Sequence, residues 1–364
     1  MKAVFDLKEA MDKKMISTNR KVVTFGEVML RLTAPDFRRF SQTNEFIATY
    51  GGSEANVAVS LANFGIPTEF VTRLPDNAMA QACIASLRAN GLGTEGIVFG
   101  GKRMGLYFLE SGASFRNSNV VYDREGSSFA TLRPGMIDWE KIFADADWFH
   151  WSGIAASLSQ EGADACLEAL QTADRMGLTI SCDLNVRKKL WNYGRSVADV
   201  MLPLVQYSDV IFGAEPEYKE VFDITPVGFQ AVDTAYPLDL KGFETFGQKI
   251  SHIVPRCRKV FLELRNTITS NHNLLAAVLY SDQTLKYTGI YDITHEVDRV
   301  GTGDAFVGGM IYGLLTYPDN DQKALGFALA ASALKNTVYG DFNQVTVEEV
   351  ESLMKGNTSG RVAR

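Results

Sequence analysis

The sequence has few cysteines and histidines, and this shortage argues against two classes of protein. Its 364 residues include four cysteines, which are Cys83, Cys166, Cys182 and Cys257. They are widely spaced and form no CxxC pair, which argues against a zinc site and against a scaffold held by disulfides. We therefore expect reduced thiols that fill the core. The four histidines are dispersed without ligand spacing, so no metal cage built by the protein is predicted.

The sequence also lacks long apolar runs and long basic stretches. No apolar run approaches the roughly 18 residues of a membrane span. Residues 1–20 include Asp6, Glu9 and Asp12 and lack the continuous apolar stretch of a secretory signal. We therefore expect no membrane partner and a cytoplasmic location. The formal net charge is −7, from 36 basic and 43 acidic residues, so a nucleic-acid partner would gain no electrostatic support.

Short β-rich runs alternate with amphipathic stretches along most of the chain. The predicted strands are residues 22–25, 69–72, 148–151, 178–183, 209–212 and 260–264. Helices are predicted over residues 54–64 and 162–176, and each is followed by a glycine, Gly65 or Gly177, suited to the C′ position. This alternation predicts an α/β fold in which helices cover both faces of a mostly parallel sheet.

Two stretches interrupt the alternation, at residues 31–50 and 105–130. The second contains Leu106-Tyr107-Phe108-Leu109 and Val120-Val121-Tyr122, which are typical of short strands. We predict that the two stretches form a small β lid over a binding site. Surface hairpins without a function are the alternative.

Composition predicts the remaining boundaries. We expect one domain over residues 21–355, preceded by an N-terminal extension over 1–20. A flexible tail is predicted over 356–364, which is polar and contains glycine. Residues 223–242 hold two prolines and two glycines, which predicts an irregular surface insertion.

The segment Asp298-Arg299-Val300-Gly301-Thr302-Gly303-Asp304 is followed by an apolar run typical of a buried helix. Two glycines around Thr302 allow a tight turn whose N–H groups point the same way. A helix N-terminus with such unpaired donors binds anions, so we predict a phosphate-binding turn. Asp304 either caps the helix, which is the better interpretation of this motif alone, or serves as a base for a hydroxyl that attacks the phosphate.

Two common nucleotide-binding motifs are absent. Phe306 stands where a third glycine would complete GxGxxG after Gly301 and Gly303, which disfavours a Rossmann dehydrogenase. No GxxxxGK followed by Ser or Thr occurs anywhere in the chain. An ordinary P-loop is therefore excluded.

A second glycine motif, Gly51-Gly52-Ser53-Glu54-Ala55-Asn56, precedes a predicted helix. The two glycines allow the backbone to approach a ligand closely. The Asn56 side chain offers one acceptor and two donors, which suit a polyhydroxylated substrate. A local helix cap without a ligand is an equally good interpretation of this motif alone.

Together, Gly51-Gly52-x-x-x-Asn56 and Asp298-x-x-Gly301-x-Gly303-Asp304 resemble the two motifs of the ribokinase-like (PfkB) carbohydrate kinases, over residues 21–354. The resemblance implies a doubly wound α/β domain with a small β lid and with substrate between lid and sheet. It also implies ATP with Mg²⁺ on the far side of the phosphate-binding turn, and a monovalent cation as a further candidate cofactor. Asp304 would be the catalytic base, and the amides of Gly301, Thr302 and Gly303 would form the anion hole.

Further segments resemble one branch of that family, the 2-keto-3-deoxygluconate kinases. They are residues 25–29, 105–107, 121–124 and 183–187. This resemblance implies a substrate site made of Gly51, Gly52, Asn56, Tyr107, Tyr122, Arg124, Arg187 and Asp304. Arg187 lies just beyond a predicted strand end, where open α/β sheets bind ligands, and a guanidinium can bind a carboxylate bidentately. A solvated or ion-paired surface arginine is the common alternative.

Three positions depart from the family pattern. Arg31 stands where many members carry an aspartate that holds neutral sugar hydroxyls, which favours an anionic substrate. The segment NxxE, linked to Mg²⁺ and phosphate, keeps Glu217 but has Ala214 in place of its asparagine. Arg265 lies where a glycine-rich nucleotide turn is usual and either reaches phosphate or faces solvent. We assign Glu217, Arg265 and Asp298 to the nucleotide and magnesium side.

The sequence therefore predicts ATP-dependent phosphorylation of the terminal hydroxyl of 2-keto-3-deoxygluconate, a sugar acid, to its 6-phosphate. Because the lid would expose strand edges, a homodimer is expected. One alternative is the same chemistry on a neutral ketose such as fructose. The other is a non-catalytic regulator that binds a sugar or a nucleotide.

Overall fold

The computed structural model describes residues 20–358. Most of the extension predicted for 1–20 and of the tail predicted for 356–364 lies outside these residues. Within them, the strands are β1 Lys21–Phe25, β2 Met29–Thr33, β3 Ile47–Gly51, β4 Thr68–Leu74, β5 Ile97–Phe99, β6 Leu106–Glu110, β7 Asn119–Asp123, β8 Ala146–Ser152, β9 Thr179–Asp183, β10 Val210–Phe212, β11 Lys259–Thr269, β12 His272–Ser281, β13 Thr284–Tyr287 and β14 Tyr291–Ile293. The α-helices there are α1 Ser53–Asn63, α2 Ala78–Ala89, α3 Trp139–Phe143, α4 Gly153–Ala156, α5 Gln160–Arg175, α6 Val197–Val205, α7 Glu215–Phe222, α8 Leu240–Ile253, α9 Thr302–Thr316, α10 Asp321–Lys335 and α11 Val347–Met354.

A ten-stranded sheet forms the centre of the fold. Its strand order is β13-β12-β11-β10-β9-β8-β1-β4-β5, and β14 pairs with β12. The strands from β11 to β5 in this order run parallel, whereas the pairs made by β12 are antiparallel. The order reverses beside β1, because β4 and β5 lie on one side of it and β8 to β11 on the other. Ligands of open α/β sheets bind at such a reversal, beyond the carboxyl ends of the strands.

Helices cover both faces of this sheet, and each face has its own apolar core. Val23 belongs to one core, together with Leu170 of α5 and Met201 of α6. Its neighbour Val22 belongs to the other, together with Phe306 of α9, because successive side chains of a strand point to opposite faces. The doubly wound α/β fold predicted from the sequence is confirmed.

A second, four-stranded sheet has the order β3-β2-β6-β7. Strands β2 and β6 run parallel, and the two outer pairs are antiparallel. These strands come from the two stretches that interrupt the α/β alternation. The chain passes from this sheet into α1 through Gly52, where a Cβ atom would lie 2.0 Å from the main-chain oxygen of Glu27, so no larger residue fits at the junction.

Most sequence predictions for the main sheet are confirmed. The six predicted strands are present within β1, β4, β8, β9, β10 and β11, and the two predicted helices within α1 and α5. The predicted insertion is irregular over residues 224–239, but its predicted end was wrong. Gly242 lies inside α8, because the Asp239 carboxylate accepts a hydrogen bond from its N–H at 2.9 Å and caps the helix.

The cysteines lie in the core, as predicted from the sequence. The four cysteines are free and buried. His150 is fully buried in β8, where burial lowers its pKa to about 3, so this imidazole is neutral at physiological pH. Over residues 20–358, no helix is long and apolar enough to cross a membrane.

Candidate active site

A cleft of about 630 Å³ lies between the second sheet and the carboxyl ends of the main parallel strands. Tyr107 and Tyr122 of the second sheet line one wall, and Asp183 and Phe212, at the ends of β9 and β10, line the other. The turn that begins α9 completes the cleft. The site thus occupies the position expected for an open α/β sheet.

Most of the predicted site residues meet in this cleft. They are Gly52, Asn56, Tyr107, Tyr122, Arg124, Arg187, Glu217, Arg265, Gly301, Thr302, Gly303 and Asp304. Two others are not on its wall. Gly51 packs against Asp341, whose carboxylate would lie 2.0 Å from an added Cβ atom, and Asp298 forms an internal ion pair.

Asp304 lies in the first turn of α9 and faces the cleft. Its two carboxylate oxygens accept hydrogen bonds from α1, one from Ser53 Oγ and one from Asn56 Nδ2, each at 2.7 Å. Burial raises the pKa of Asp304, and these two donors oppose the rise because they stabilise the ionised form. The two glycine motifs, far apart in sequence, therefore meet at one carboxylate.

The turn before α9 presents unpaired main-chain donors to the same cleft. Gly301 has φ +83°, and an added Cβ atom there would lie 2.2 Å from the main-chain oxygen of Asp341, so both conformation and space require glycine. Among the hydrogen bonds of residues 20–358, none uses the main-chain N–H of Gly303 or Asp304 as donor. These N–H groups and the positive end of the α9 dipole can bind an anion.

A group of acidic side chains lines the cleft near the ends of β9 and β10. Burial raises the pKa of Asp183, and the nearby Glu217 and Asp304 raise it further, while Arg187 opposes the rise. Burial also raises the pKa of Glu217, which Arg187 again opposes. Glu217 Oε2 accepts a hydrogen bond from the N–H of Ala214 at 2.7 Å. This wall of the cleft therefore favours a cation, although within residues 20–358 no three acidic, His or Cys side chains form a metal cage.

The predicted arginines have different surroundings. Arg187 is exposed at the cleft and has no salt bridge within 4.0 Å among residues 20–358. Arg124 is buried and donates from Nε to Glu27 at 2.8 Å. Arg265 donates to Thr302 Oγ1 at 2.7 Å, which places it beside the anion-binding turn, and its contact with phosphate stays a prediction.

Arg31 and Asp298 belong to a buried ion-pair cluster beside the cleft. The Arg31 guanidinium lies 2.5 Å from Asp298 and 2.7 Å from Asp341. Tyr107 donates its hydroxyl to Asp341 at 2.6 Å. Because both partners of Arg31 are protein carboxylates, Arg31 gives no support to the expectation of an anionic substrate. The carboxylate of Asp298, assigned above to the nucleotide side, is engaged in the same cluster.

Among the polar residues of the site, Asp183, Asn185 and Asp341 were assigned no role from the sequence. Asn185 donates to Ser53 Oγ at 2.9 Å and to Asp183 at 3.1 Å, which joins the end of β9 to a partner of Asp304. Asp183 and Asn185 stand at a predicted strand end, a position that could have indicated them. Asp341 follows α10 in a short turn without a motif, so nothing around it in the sequence pointed to the site.

Glu54, next to Ser53, gives a testable pH dependence of stability. It is fully buried, and Ser152 Oγ donates to it at 2.5 Å. Burial raises its pKa from 4.5 to about 7, so the folded state binds this proton more tightly than the unfolded state. Its contribution to stability therefore falls as pH rises from 4.5 to about 7.

The variant Glu54→Gln should escape this loss, because an amide does not ionise. Urea denaturation of variant and wild type should show a stability difference that grows in favour of the variant between those pH values, by about 3 kcal/mol. Glu45→Gln, at an exposed site, is the matched control and should show a nearly constant difference. A constant difference for Glu54→Gln would contradict the raised pKa.

The comparisons with known proteins agree with this geometry. The model of the pfkB family carbohydrate kinases matches residues 19–235, more than half of the chain. The chain belongs to the pfkB family of carbohydrate kinases. This protein is therefore a carbohydrate kinase. Kinases of this family use ATP, and the fold and the cleft suit phosphoryl transfer.

This kinase is similar to the three proteins described next, two of which carry names that specify a substrate. The 2-dehydro-3-deoxygalactonokinase of Haloferax volcanii is 31% identical over 343 residues, which cover 93% of this chain and 98% of that protein. The crystal structure of 2-dehydro-3-deoxygluconokinase from Thermotoga maritima is 40% identical, with a TM-score of 0.85 and coverage of 93% and 100%. A PfkB family carbohydrate kinase from Listeria grayi is 29% identical, with a TM-score of 0.84 and coverage of 92% and 100%.

Proposed function

We propose that this kinase transfers the γ-phosphate of ATP to the terminal hydroxyl of 2-keto-3-deoxygluconate, also written 2-dehydro-3-deoxygluconate, and forms the 6-phosphate. The observation that carries the proposal is the pairing of Asp304 with the unbonded N–H groups of the α9 turn in one cleft. The two relatives named for 2-dehydro-3-deoxy sugar acids support the substrate class. The galactonate and gluconate forms share the carboxylate and the terminal hydroxyl, so both belong to this class.

In the proposed mechanism, Asp304 accepts the proton of the terminal hydroxyl as that oxygen attacks the γ-phosphorus, the bond from the γ-phosphorus to the bridging oxygen breaks, and ADP leaves. Ser53 and Asn56 hold the carboxylate in place through their 2.7 Å hydrogen bonds. The N–H groups of Gly303 and Asp304 donate to the transferring phosphoryl group, where charge must be stabilised. Arg265, held beside Thr302, adds a positive charge at the same turn.

The acidic wall of the cleft suits Mg²⁺ that arrives with ATP. Asp183 and Glu217 are half-buried at the cleft, and desolvation raises the pKa values of both carboxyl groups. A divalent cation held by them would relieve their mutual repulsion. Magnesium prefers carboxylate oxygens and keeps several waters, so one or two protein carboxylates are enough. When bound, it would neutralise charge on the phosphates of ATP.

Arg187 supports the acid-sugar assignment. Its guanidinium lies at the cleft without a carboxylate partner within 4.0 Å in the described part of the chain, so it is available to the carboxylate of a substrate. Such charge-assisted bidentate contacts are among the stronger hydrogen bonds of proteins. The homodimer and the cytoplasmic location expected from the sequence stay predictions.

The variant Arg187→Ala tests the substrate class. We expect kcat/KM for 2-keto-3-deoxygluconate to fall about 10- to 100-fold, because a hydrogen bond between charged groups contributes about 1.5–3 kcal/mol, and we expect the loss mainly in KM. A coupled assay that compares 2-keto-3-deoxygluconate, gluconate, fructose and ribose would measure it.

The matched control is Lys189→Ala, which removes an exposed positive charge two residues away. It should behave as the wild type on every sugar. An Arg187→Ala enzyme that keeps its efficiency on the acid, or wild-type preference for fructose, would favour the neutral ketose instead. Absence of ATP consumption with all four sugars would contradict the proposed substrate and indicate a carbohydrate outside this panel.

A further inference from the structure

Lys335 is a buried charged residue that the proposed mechanism does not use. It is the last residue of α10, and its side chain has no exposed surface. Its ammonium donates to the main-chain oxygen of Val338 at 3.1 Å and to that of Asp298 at 3.3 Å. A buried ammonium is costly unless it is paired and hydrogen-bonded, so its surroundings should explain why it is there.

The surroundings of Lys335 balance its charge. The buried cluster beside it contains the carboxylates of Asp298 and Asp341 and the guanidinium of Arg31. With Lys335, two positive and two negative groups face one another. Burial lowers the pKa of Lys335, and the two carboxylates oppose that effect. The position at the C-terminal end of a helix also favours a cation, because the unpaired carbonyls there carry negative partial charge.

The oxygens that Lys335 holds belong to the segments that shape the anion-binding turn. Asp298 accepts a hydrogen bond from the N–H of Val300 at 3.1 Å and one from the N–H of Gly340 at 3.0 Å. Gly301 packs directly on the main-chain oxygen of Asp341. The ammonium therefore lies where the chain entering the turn and the loop after α10 meet.

We propose that Lys335 is a positioning residue whose ammonium acts as a built-in monovalent cation, holding the 298–301 and 338–341 segments so that the N–H groups of the turn point into the cleft. On this proposal the kinase needs no added monovalent cation, the further cofactor that the family resemblance offered as a candidate. The inference rests on the proposed anion-binding role of the turn, but not on the identity of the sugar.

The chemistry of the site makes this inference testable. Main-chain oxygens that bind an ammonium can also bind potassium, as carbonyl oxygens do when they replace the hydration shell of that ion. In Lys335→Ala the same oxygens remain around a space from which the side chain has been removed. In Lys335→Met an uncharged side chain of similar length fills that space. The alanine variant should therefore respond to small cations, and the methionine variant should not.

The experiment measures kcat in potassium, ammonium or tetramethylammonium chloride at equal ionic strength, with whichever sugar of the panel the wild type phosphorylates fastest. The wild type should have the same kcat in all three salts. In tetramethylammonium, both Lys335 variants should lose about 10- to 100-fold in kcat, the range expected from a small misplacement of catalytic groups. Potassium or ammonium should restore most of the loss in Lys335→Ala only.

Lys323→Ala is the matched control, since Lys323 is on the same helix with an exposed side chain over the ring of Tyr317. It should keep wild-type kcat in every salt. Circular dichroism checks that each variant is folded. If the alanine variant folds only with a small cation, a melting temperature that rises with potassium concentration supports the proposal, and one that does not rise overturns it.

Three other results would overturn the proposal. They are a wild type that requires potassium, a folded Lys335 variant with full kcat in tetramethylammonium, and a loss in Lys335→Ala that no small cation restores. The last would indicate a role in folding only. A wrong sugar assignment would appear when the wild type is assayed with the four sugars. Failure of the proposed function can therefore be distinguished from failure of the Lys335 proposal.

Discussion

Replacing Asp304 with asparagine should lower kcat by about 10²- to 10⁴-fold, the usual contribution of a general base. Asparagine keeps the size and shape of the side chain but cannot accept the hydroxyl proton at physiological pH. The fold should be retained, because Ser53 and Asn56 can still hydrogen-bond to the new amide and because burial disfavours the charged carboxylate in any case. A coupled ADP-release assay with saturating substrates measures kcat, and thermal melting checks the fold.

The matched control for Asp304→Asn is Asp199→Asn. Asp199 also lies in the first turn of a helix, α6, but it is exposed and away from the cleft. Any loss of favourable interaction between a carboxylate and a helix N-terminus is therefore common to both variants. The control should keep wild-type kcat. If the Asp304 variant does so too, Asp304 caps the helix and is not the base.

Replacing Arg31 with alanine should reduce the free energy of unfolding by about 3–5 kcal/mol, the cost of removing one partner from a buried ion pair. The substitution leaves Asp298 and Asp341 as buried neighbouring carboxylates, with the ammonium of Lys335 beside them. Urea denaturation followed by circular dichroism measures the change. Because the cluster adjoins the anion-binding turn, a loss of kcat should accompany the loss of stability.

Arg38→Ala provides the control for Arg31→Ala. Arg38 is seven residues further along the chain, its side chain is 47% exposed, and its contact with Asp36 is 3.5 Å long. Exposed pairs of this kind contribute less than about 1 kcal/mol, so the control should unfold like the wild type. Equal stabilities of the two variants would show that the Arg31 cluster is not a stabilising core of the site.

The features that the sequence predicted correctly are those that depend on residues close together in the chain. Alternating apolar runs indicated the parallel sheet, and the glycines around Thr302 indicated the turn at the start of α9, because each of these features depends on neighbours in the chain. That Asp304 and Asn56 belong to one site was implied only by the resemblance to a family, and their direct hydrogen bond was not predicted. From each motif alone, a capping role was the better interpretation for Asp304 and an equally good one for Asn56.

What the sequence could not predict depends on contacts between distant segments. Arg31 and Asp341 are 310 positions apart, and neither has neighbours that identify the other as its partner. Arg31 was therefore interpreted as a residue for an anionic substrate, whereas the folded chain neutralises it internally. Similarly, Lys335 ends a mostly apolar helix, and only the folded structure reveals that its ammonium is buried between two loops.

The attachment of the second sheet to the main domain has a consequence for substrate entry. Arg31 in β2 and Tyr107 in β6 both bind Asp341, so the base of this sheet is anchored by charge. Swinging the whole sheet away would break the Arg31 and Tyr107 contacts to Asp341, and breaking a buried ion pair costs about 3–5 kcal/mol. A movement that admits the sugar and keeps these contacts would pivot about Asp341, so the strand ends far from this anchor would move most.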